Sequence, residues 1–269
     1  MNPGNTDCTS GDPLEQVRLL YTELAIHPEQ DFGWGRGKDN ARALGYASEW
    51  LDSLPDIVWE SAAAVGNPFR LGPIHPGETV VDLGCGAGAD ACIAAIQAGP
   101  HGKVFGIDCT PAMIEKARAN AAVAALPRAE FHEADMAALP LPDNAADVLV
   151  SNGAINLARD KQAVLAEAFR VLRPGGRLQI ADMVRDTSVT GACCGSGQES
   201  WADCVSGTIE PDAFLSLLAG AGFVNVELGG FTEYRTAVNT RGALFRAVRP
   251  DHLRAVTESS NPSAGADED

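Results

Sequence analysis

The segment Val81-Asp82-Leu83-Gly84-Cys85-Gly86-Ala87-Gly88 sets three glycines at alternate positions directly behind a short apolar run. Glycine permits the left-handed backbone of a tight strand-to-helix turn, and the helix that follows aims its free N–H groups at whatever lies in the turn. Gly84, Gly86 and Ala89 also satisfy the dinucleotide pattern loosely, so the glycines alone do not name a ligand. Asp82 narrows the chemistry. A carboxylate just ahead of the turn opposes a pyrophosphate and suits a phosphate-free ligand with a cationic amino group. Asp108, about twenty residues on at the end of a second apolar run, is placed to accept hydrogen bonds from ribose hydroxyls.

The other reactive groups are seven cysteines, at positions 8, 85, 92, 109, 193, 194 and 204. None forms a Cys-x-x-Cys pair, and the five histidines form no His-x-x-x-His pair, so a zinc ribbon or zincin site lacks ligands. Residues 1–11 are polar and carry no secretory signal, which predicts a cytoplasmic chain with reduced thiols rather than a disulfide scaffold. Twenty basic against thirty-six acidic residues give a net charge of −16. Such a chain repels phosphate backbones and anionic lipid, so neither nucleic acid nor membrane is expected as a partner, and the substrate should be small. At 45% apolar and 21% charged residues, the composition excludes wholesale disorder.

The elements that position these groups follow from periodicity and breakers. Asp12-Pro13 reads as an N-cap and first helical residue of a helix running to about Ile26. Residues 31–38, with Trp34, Arg36 and Lys38, are too glycine-rich for helix and read as a surface loop. Two short helices are expected near 39–53 and 55–64. From Gly77 strands alternate with helices: strands at 79–83, 104–108, 129–132, 147–151 and 177–182, and helices ending at Gln97 or spanning 111–124 and 160–172. That alternation implies a parallel sheet covered on both faces. Beyond a helix at 211–220, strands at 223–228 and 242–248 are expected to pair antiparallel at the sheet edge. The chain divides into an N-terminal helical extension (1–70), one α/β domain (71–250) and an acidic tail (251–269).

Four motifs in order, Asp82 to Gly88, Gly106-Ile107-Asp108, Asp135-Met136 ahead of Leu139-Pro140, and Leu172-Arg173-Pro174-Gly175-Gly176, resemble class I S-adenosylmethionine-dependent methyltransferases over roughly residues 70–185. The resemblance implies a Rossmann-like, seven-stranded, mostly parallel sheet. It places S-adenosylmethionine, which carries a sulfonium and an α-amino group, against Asp82, Gly84, Cys85, Gly86 and Gly88. It further implies Asp108 at the ribose, Asp135 beside the adenine and Met136 packed on it; Cys109, next to Asp108, is read as a neighbour of the cofactor or a packing residue. Ser151 and Asn152, at the end of the fourth strand, join the same set.

A closer resemblance, over most of residues 55–230, is to arsenite S-adenosylmethionine methyltransferases. It rests on Gly66-Asn67-Pro68, Gly77-Glu78-Thr79-Val80, the run from Leu149 to Leu157 and the run from Glu199 to Thr208. Members hold trivalent arsenic through cysteine thiolates, and the arsenic lone pair attacks the sulfonium methyl. A soft nucleophile with its own lone pair needs positioning more than a base, and thiolates suit a soft centre. Two family cysteines are replaced here, by Val65 and Gly153. Cys204 matches a family metalloid cysteine. Cys193 and Cys194, in the Cys/Gly-rich acceptor loop at 186–210, are inferred from their proximity in sequence as replacement thiolates. The acceptor could arrive as a thiol adduct. A methyltransferase for an organic acceptor such as a quinone is the alternative; a metalloid-binding protein without turnover fits less well with intact Asp82 and Asp108. Cys92 is expected in the core, Cys8 is incidental, and Lys116 and Arg118 are expected to face solvent.

Overall fold

The computed structural model describes residues 12–186 and 207–251. Seven strands form one sheet: β1 (Thr79–Leu83), β2 (Lys103–Asp108), β3 (Ala129–Glu133), β4 (Ala146–Asn152), β5 (Leu172–Arg185), β6 (Val224–Phe231) and β7 (Thr240–Val248). Their order is β3-β2-β1-β4-β5-β7-β6. The first five run parallel, and β7 lies antiparallel between β5 and β6. Burial explains that placement. Ala243, Leu244, Phe245 and Ala247 make β7 an interior strand, whereas β6 exposes most of its residues and forms the edge. Only β6 of the two is therefore a true edge strand.

Helices cover the sheet on both sides. The helix α5 (Ala89–Ala98) packs on β1 and β2, α6 (Pro111–Val123) on β2 and β3, α7 (Lys161–Val171) on β5, and α8 (Pro211–Gly220) on β6 and β7. The Phe214 ring of α8 stacks on Phe245 of β7 at 4.5 Å. The central strands are apolar on both faces: Val80, Val81, Leu83, Val148, Leu149, Val150 and Ile180 are all fully buried. Such runs belong to a sheet sandwiched by helices.

The N-terminal region comprises α1 (Pro13–Ile26), α2 (Gly37–Ala43), α3 (Ser48–Ser53) and α4 (Asp56–Trp59). Asp12 caps α1 through the Leu14 amide, as its sequence suggests. The expected helix over 39–53 is two helices, because Gly45 turns with φ 81° between them. The expected helix over 55–64 is a single turn. This region does not stand apart from the sheet: Tyr46, Trp59, Val65 and Phe69 share one core with Val80, Cys92 and Val148.

Lys116 departs from its expected solvent-facing role, whereas Arg118 is exposed as expected. Lys116 Nζ donates to the Ala25 carbonyl at 3.1 Å and lies 3.8 Å from Glu60, and Arg118 Nη2 donates to the Phe131 carbonyl at 2.7 Å. The cause is tertiary. The α1 helix lies over α6, so a face that looks free in the sequence is covered.

Candidate functional site

Strand order reverses between β1 and β4, and the crevice beyond the C-terminal ends of such strands is where open α/β sheets bind ligands. A cavity of about 250 Å³ lies there. Its floor is the glycine turn. Gly84, Gly86 and Gly88 have φ of 69°, 50° and 84°, all in the left-handed region. They do different things. A Cβ on Gly84 would overlap the Ala154 methyl, so the turn and the β4 loop touch backbone to side chain. A Cβ on Gly86 would meet open space within the cavity, which leaves room for a ligand. Gly88 does not line the cavity; a Cβ there would press on Phe131 and Ala117 at 3.0–3.1 Å. Gly88 is thus a packing glycine, contrary to its expected place at the cofactor.

Two buried carboxyl groups, Asp82 and Asp90, and the half-buried Asp108 meet at this end. Asp82 is 1% exposed, and its Oδ2 has no hydrogen-bond partner. Burial, with the charges of Asp90 and Asp108 close by, pushes its pKa well above the usual carboxylate range. Asp90, in the first turn of α5, accepts from the Tyr46 hydroxyl at 2.7 Å and from Asn152 Nδ2 at 2.9 Å. Asp108 is held by two amides, Gly86 N at 2.9 Å and Thr110 N at 2.8 Å, and burial raises its pKa too. A buried carboxyl with an unfilled oxygen lacks a positive partner. The ammonium of a cationic, ribose-bearing cofactor such as S-adenosylmethionine fits Asp82, and the remaining lone pairs of Asp108 fit its hydroxyls.

The other expected cofactor residues divide. Cys85, Cys109, Asp135 and Met136 line the cavity, with Asp135 accepting from the Ala137 amide at 2.9 Å. Burial pushes the Cys85 and Cys109 thiols up, which disfavours the nucleophilic thiolate form. Cys92 is fully buried in the core, its thiol pushed up to about 12. Asn152 lines the cavity, but its amide is spent on the protein. Nδ2 donates to Asp90 and the Gly66 carbonyl, and Oδ1 accepts from the Val65 amide at 3.0 Å. Ser151 is a correction. It lies outside the cavity lining, fully buried, and donates to the Leu83 carbonyl at 2.9 Å, tying β4 to β1.

Three groups escaped the sequence reading. Tyr46 and Trp59 come from the N-terminal region, and both line the cavity. Asp90 had a signal, as a single acid within an otherwise small and apolar helix. The third group is the roof. Leu14, Val17 and Tyr21 of α1 line the cavity, while Leu24 and Ala25 pack with Ala87 and Met113. Two donors fasten its C-terminal carbonyls: Ser61 Oγ to Leu24 at 3.0 Å and Lys116 Nζ to Ala25.

A second wall of the cavity, which meets the glycine turn where Ala154 touches Gly84, comprises Ala62, Ala63, Ala64, Gly153, Ala154, Leu157 and Ala158. Gly153 has φ 67°, and a Cβ built on it would lie 3.1 Å from Val65 Cγ1. Val65 and Gly153, eighty-eight positions apart, are therefore neighbours. Behind this wall Asp182 accepts from the Asn156 amide at 3.1 Å, and Lys161 Nζ donates to the Asn156 and Ala158 carbonyls at 2.9 Å. Asp182 is fully buried, which pushes its pKa up to about 7. Cys193, Cys194 and Cys204 lie outside the described residues. The chain leaves the described region after Asp186 and returns at Gly207, which sits directly against the Asn156 carbonyl. Among the described residues no cluster of His, Cys, Asp or Glu is placed to hold a metal ion, and no helix is long and apolar enough to cross a membrane.

Comparison with known proteins gives one consistent result. The methyltransferase domain family matches residues 74–222. The chain is 40% identical over 185 residues to an arsenite methyltransferase of Halobacterium salinarum, covering 69% of this chain and 47% of that protein. It is 35% identical over 180 residues to a demethylmenaquinone methyltransferase of Symbiobacterium thermophilum, covering 66% and 62%. Its fold superposes on an arsenic (III) S-adenosylmethionine methyltransferase of Chlamydomonas reinhardtii with TM-score 0.55 and 26% identity, over 81% of this chain and 74% of the other. The chain spans about half the length of the curated arsenite methyltransferase it matches.

Proposed function

This chain belongs to the methyltransferase-domain family, in its S-adenosylmethionine-dependent class, and from that premise we propose that it methylates thiol-bound trivalent arsenic or a similar metalloid. The observation that carries the acceptor reading is the 40% identity to an arsenite methyltransferase. The side chains of Ala62–Ala64, Gly153, Ala154 and Leu157 themselves offer no base, and Asp160, the acid that follows them in the lining, is exposed and caps the next helix through the Ala163 amide. An acceptor that attacks through its own lone pair, with no proton to lose, needs none.

When bound, the cofactor supplies an electrophilic methyl on a sulfonium sulfur. Asp82 holds its ammonium and Asp108 its ribose hydroxyls, while Asp135 and Met136 take the adenine side. The α1 roof excludes water and keeps the carboxylates in a low-dielectric setting where a cation is held strongly. Cys204, with Cys193 or Cys194, supplies thiolates for the metalloid. Gly207 and Asn156 tie the returning end of that loop to the acceptor wall. The acceptor is a small molecule, delivered in the cytoplasm as a thiol adduct.

A second reading has its own support. Val65 and Gly153 leave the positions of two family cysteines apolar and in mutual contact, which suits an organic acceptor such as a quinone. Purified protein with labelled cofactor, offered arsenite plus glutathione in parallel with a quinone panel, separates the two. Label in arsenic, lost in Cys204→Ser while cofactor affinity persists, supports the metalloid site. Label in a quinone and never in arsenic transfers the assignment to the organic acceptor.

A further inference from the structure

Two side chains of the cavity lining each carry a buried polar atom that the protein leaves unsatisfied. One is the Asp82 Oδ2 acceptor and the other is a donor, the indole Nε1–H of Trp59. Trp59 is 2% exposed, and its ring meets that of Tyr46 at 6.1 Å and nearly at right angles. The Tyr46 hydroxyl in turn rests on Asp90, whose charge bears on Asp82. The orphaned donor is thus one ring removed from the acidic floor.

Several other side-chain donors of the lining are committed or exposed. The Ser61 hydroxyl donates to the Leu24 carbonyl, Tyr46 to Asp90, and Asn152 to Asp90 and Gly66. Arg159 is 69% exposed and lies 3.5 Å from Asp12. A buried donor without an acceptor costs free energy unless a ligand supplies one. A methionine moiety carries a carboxylate beside its ammonium. The floor of Asp82, Asp90 and Asp108 repels that carboxylate, so it must turn toward a donor away from the floor.

We propose that Trp59 Nε1–H donates to the carboxylate of the cofactor's methionine end while the free oxygen of Asp82 takes the ammonium. The pair then acts as a two-pole clamp on a zwitterion. This assignment rests on the S-adenosylmethionine reading above and adds to it a contact from outside the glycine loop. The neutral thioether product keeps both charged groups, so product and donor share the clamp.

The test needs binding alone. Calorimetry on wild type, Trp59→Phe and Asp82→Asn would use S-adenosylhomocysteine and its decarboxylated analogue, which keeps the ammonium. Trp59→Phe should weaken S-adenosylhomocysteine roughly tenfold, the range for a hydrogen bond to a charged group, and leave the decarboxylated analogue unchanged. Asp82→Asn should weaken both ligands. On wild type, one of the four indole cross-peaks in a nitrogen-correlated NMR spectrum should move with S-adenosylhomocysteine and stay in place with the analogue, a readout that survives should Trp59→Phe fail to fold. Equal weakening of both ligands by Trp59→Phe, or none, overturns the clamp and leaves the indole N–H to the Tyr46 ring. If wild type binds neither S-adenosylmethionine nor S-adenosylhomocysteine, the cofactor reading itself falls.

Discussion

Two parts of the cavity are built on opposite plans. The β1 end is charged, and it is assembled mainly from one contiguous stretch, residues 82–90, with Asp108 from the next strand. The second wall is largely apolar, assembled from Ala62–Ala64, the β4 loop and the turn at Leu157, with the exposed Arg159 and Asp160 following in the lining. A site for an obligatory cationic ligand requires fixed charges that one local motif can supply. An apolar wall needs only shape, and segments far apart in sequence supply that.

The largest test of this contrast concerns the support behind the second wall. Asp182 has a folded pKa of about 7 against about 4 unfolded, so the folded state binds the extra proton. Its contribution to stability is complete below pH ~4 and is lost as pH rises through about 7, of the order of 4 kcal/mol in all. Denaturant unfolding of wild type and Asp182→Asn at pH 4.5 and 7.5 should show a flatter pH dependence in the variant. Parallel slopes would mean that the wall is not held by a titrating group.

At the β1 end, Gly84→Ala combines left-handed strain with overlap on Ala154 and should destabilise by about 3 kcal/mol. Gly86→Ala meets no protein atom and should cost mainly the strain, about 1–2 kcal/mol. Thermal melts that rank these two in reverse would break the division between a glycine pressed on Ala154 and one with open space beside it. Asp108→Ala should remove about 1.5–3 kcal/mol of cofactor affinity by calorimetry. Cys204→Ser should leave that affinity unchanged, and a matching loss in both would dissolve the separation of the two parts. The smallest effect is a proton count. Asp82 holds its proton more tightly before a cation arrives, so cofactor binding should release part of a proton, seen as a buffer-dependent binding heat. Asp82→Asn should abolish the release.

The legibility of the sequence followed the same division. The strand and helix alternation, the glycine turn, Asp82, Asp108 and the Asp135-Met136 step were readable because each is local and carries its own spacing. Gly88 looked equivalent to its neighbours, yet Phe131 of another strand fills its side. Ser151 sits one residue before Asn152, and in a strand that single step turns its side chain away from the face Asn152 presents. Tyr46, Trp59 and the covering of Lys116 by α1 had no local signal, since each depends on the N-terminal region folding back over the sheet.

The contact between Val65 and Gly153 constrains how this apolar wall could change over time. A side chain added at Gly153 meets both a left-handed backbone and the Val65 methyls, so it is penalised while valine remains. Shortening Val65 first opens the space into which a residue at 153 can grow. The two positions therefore form an ordered pair, and the route from this wall to one bearing side chains at both places runs through position 65. A library that varies position 153 alone should return almost only glycine, whereas one that varies both should recover many pairs.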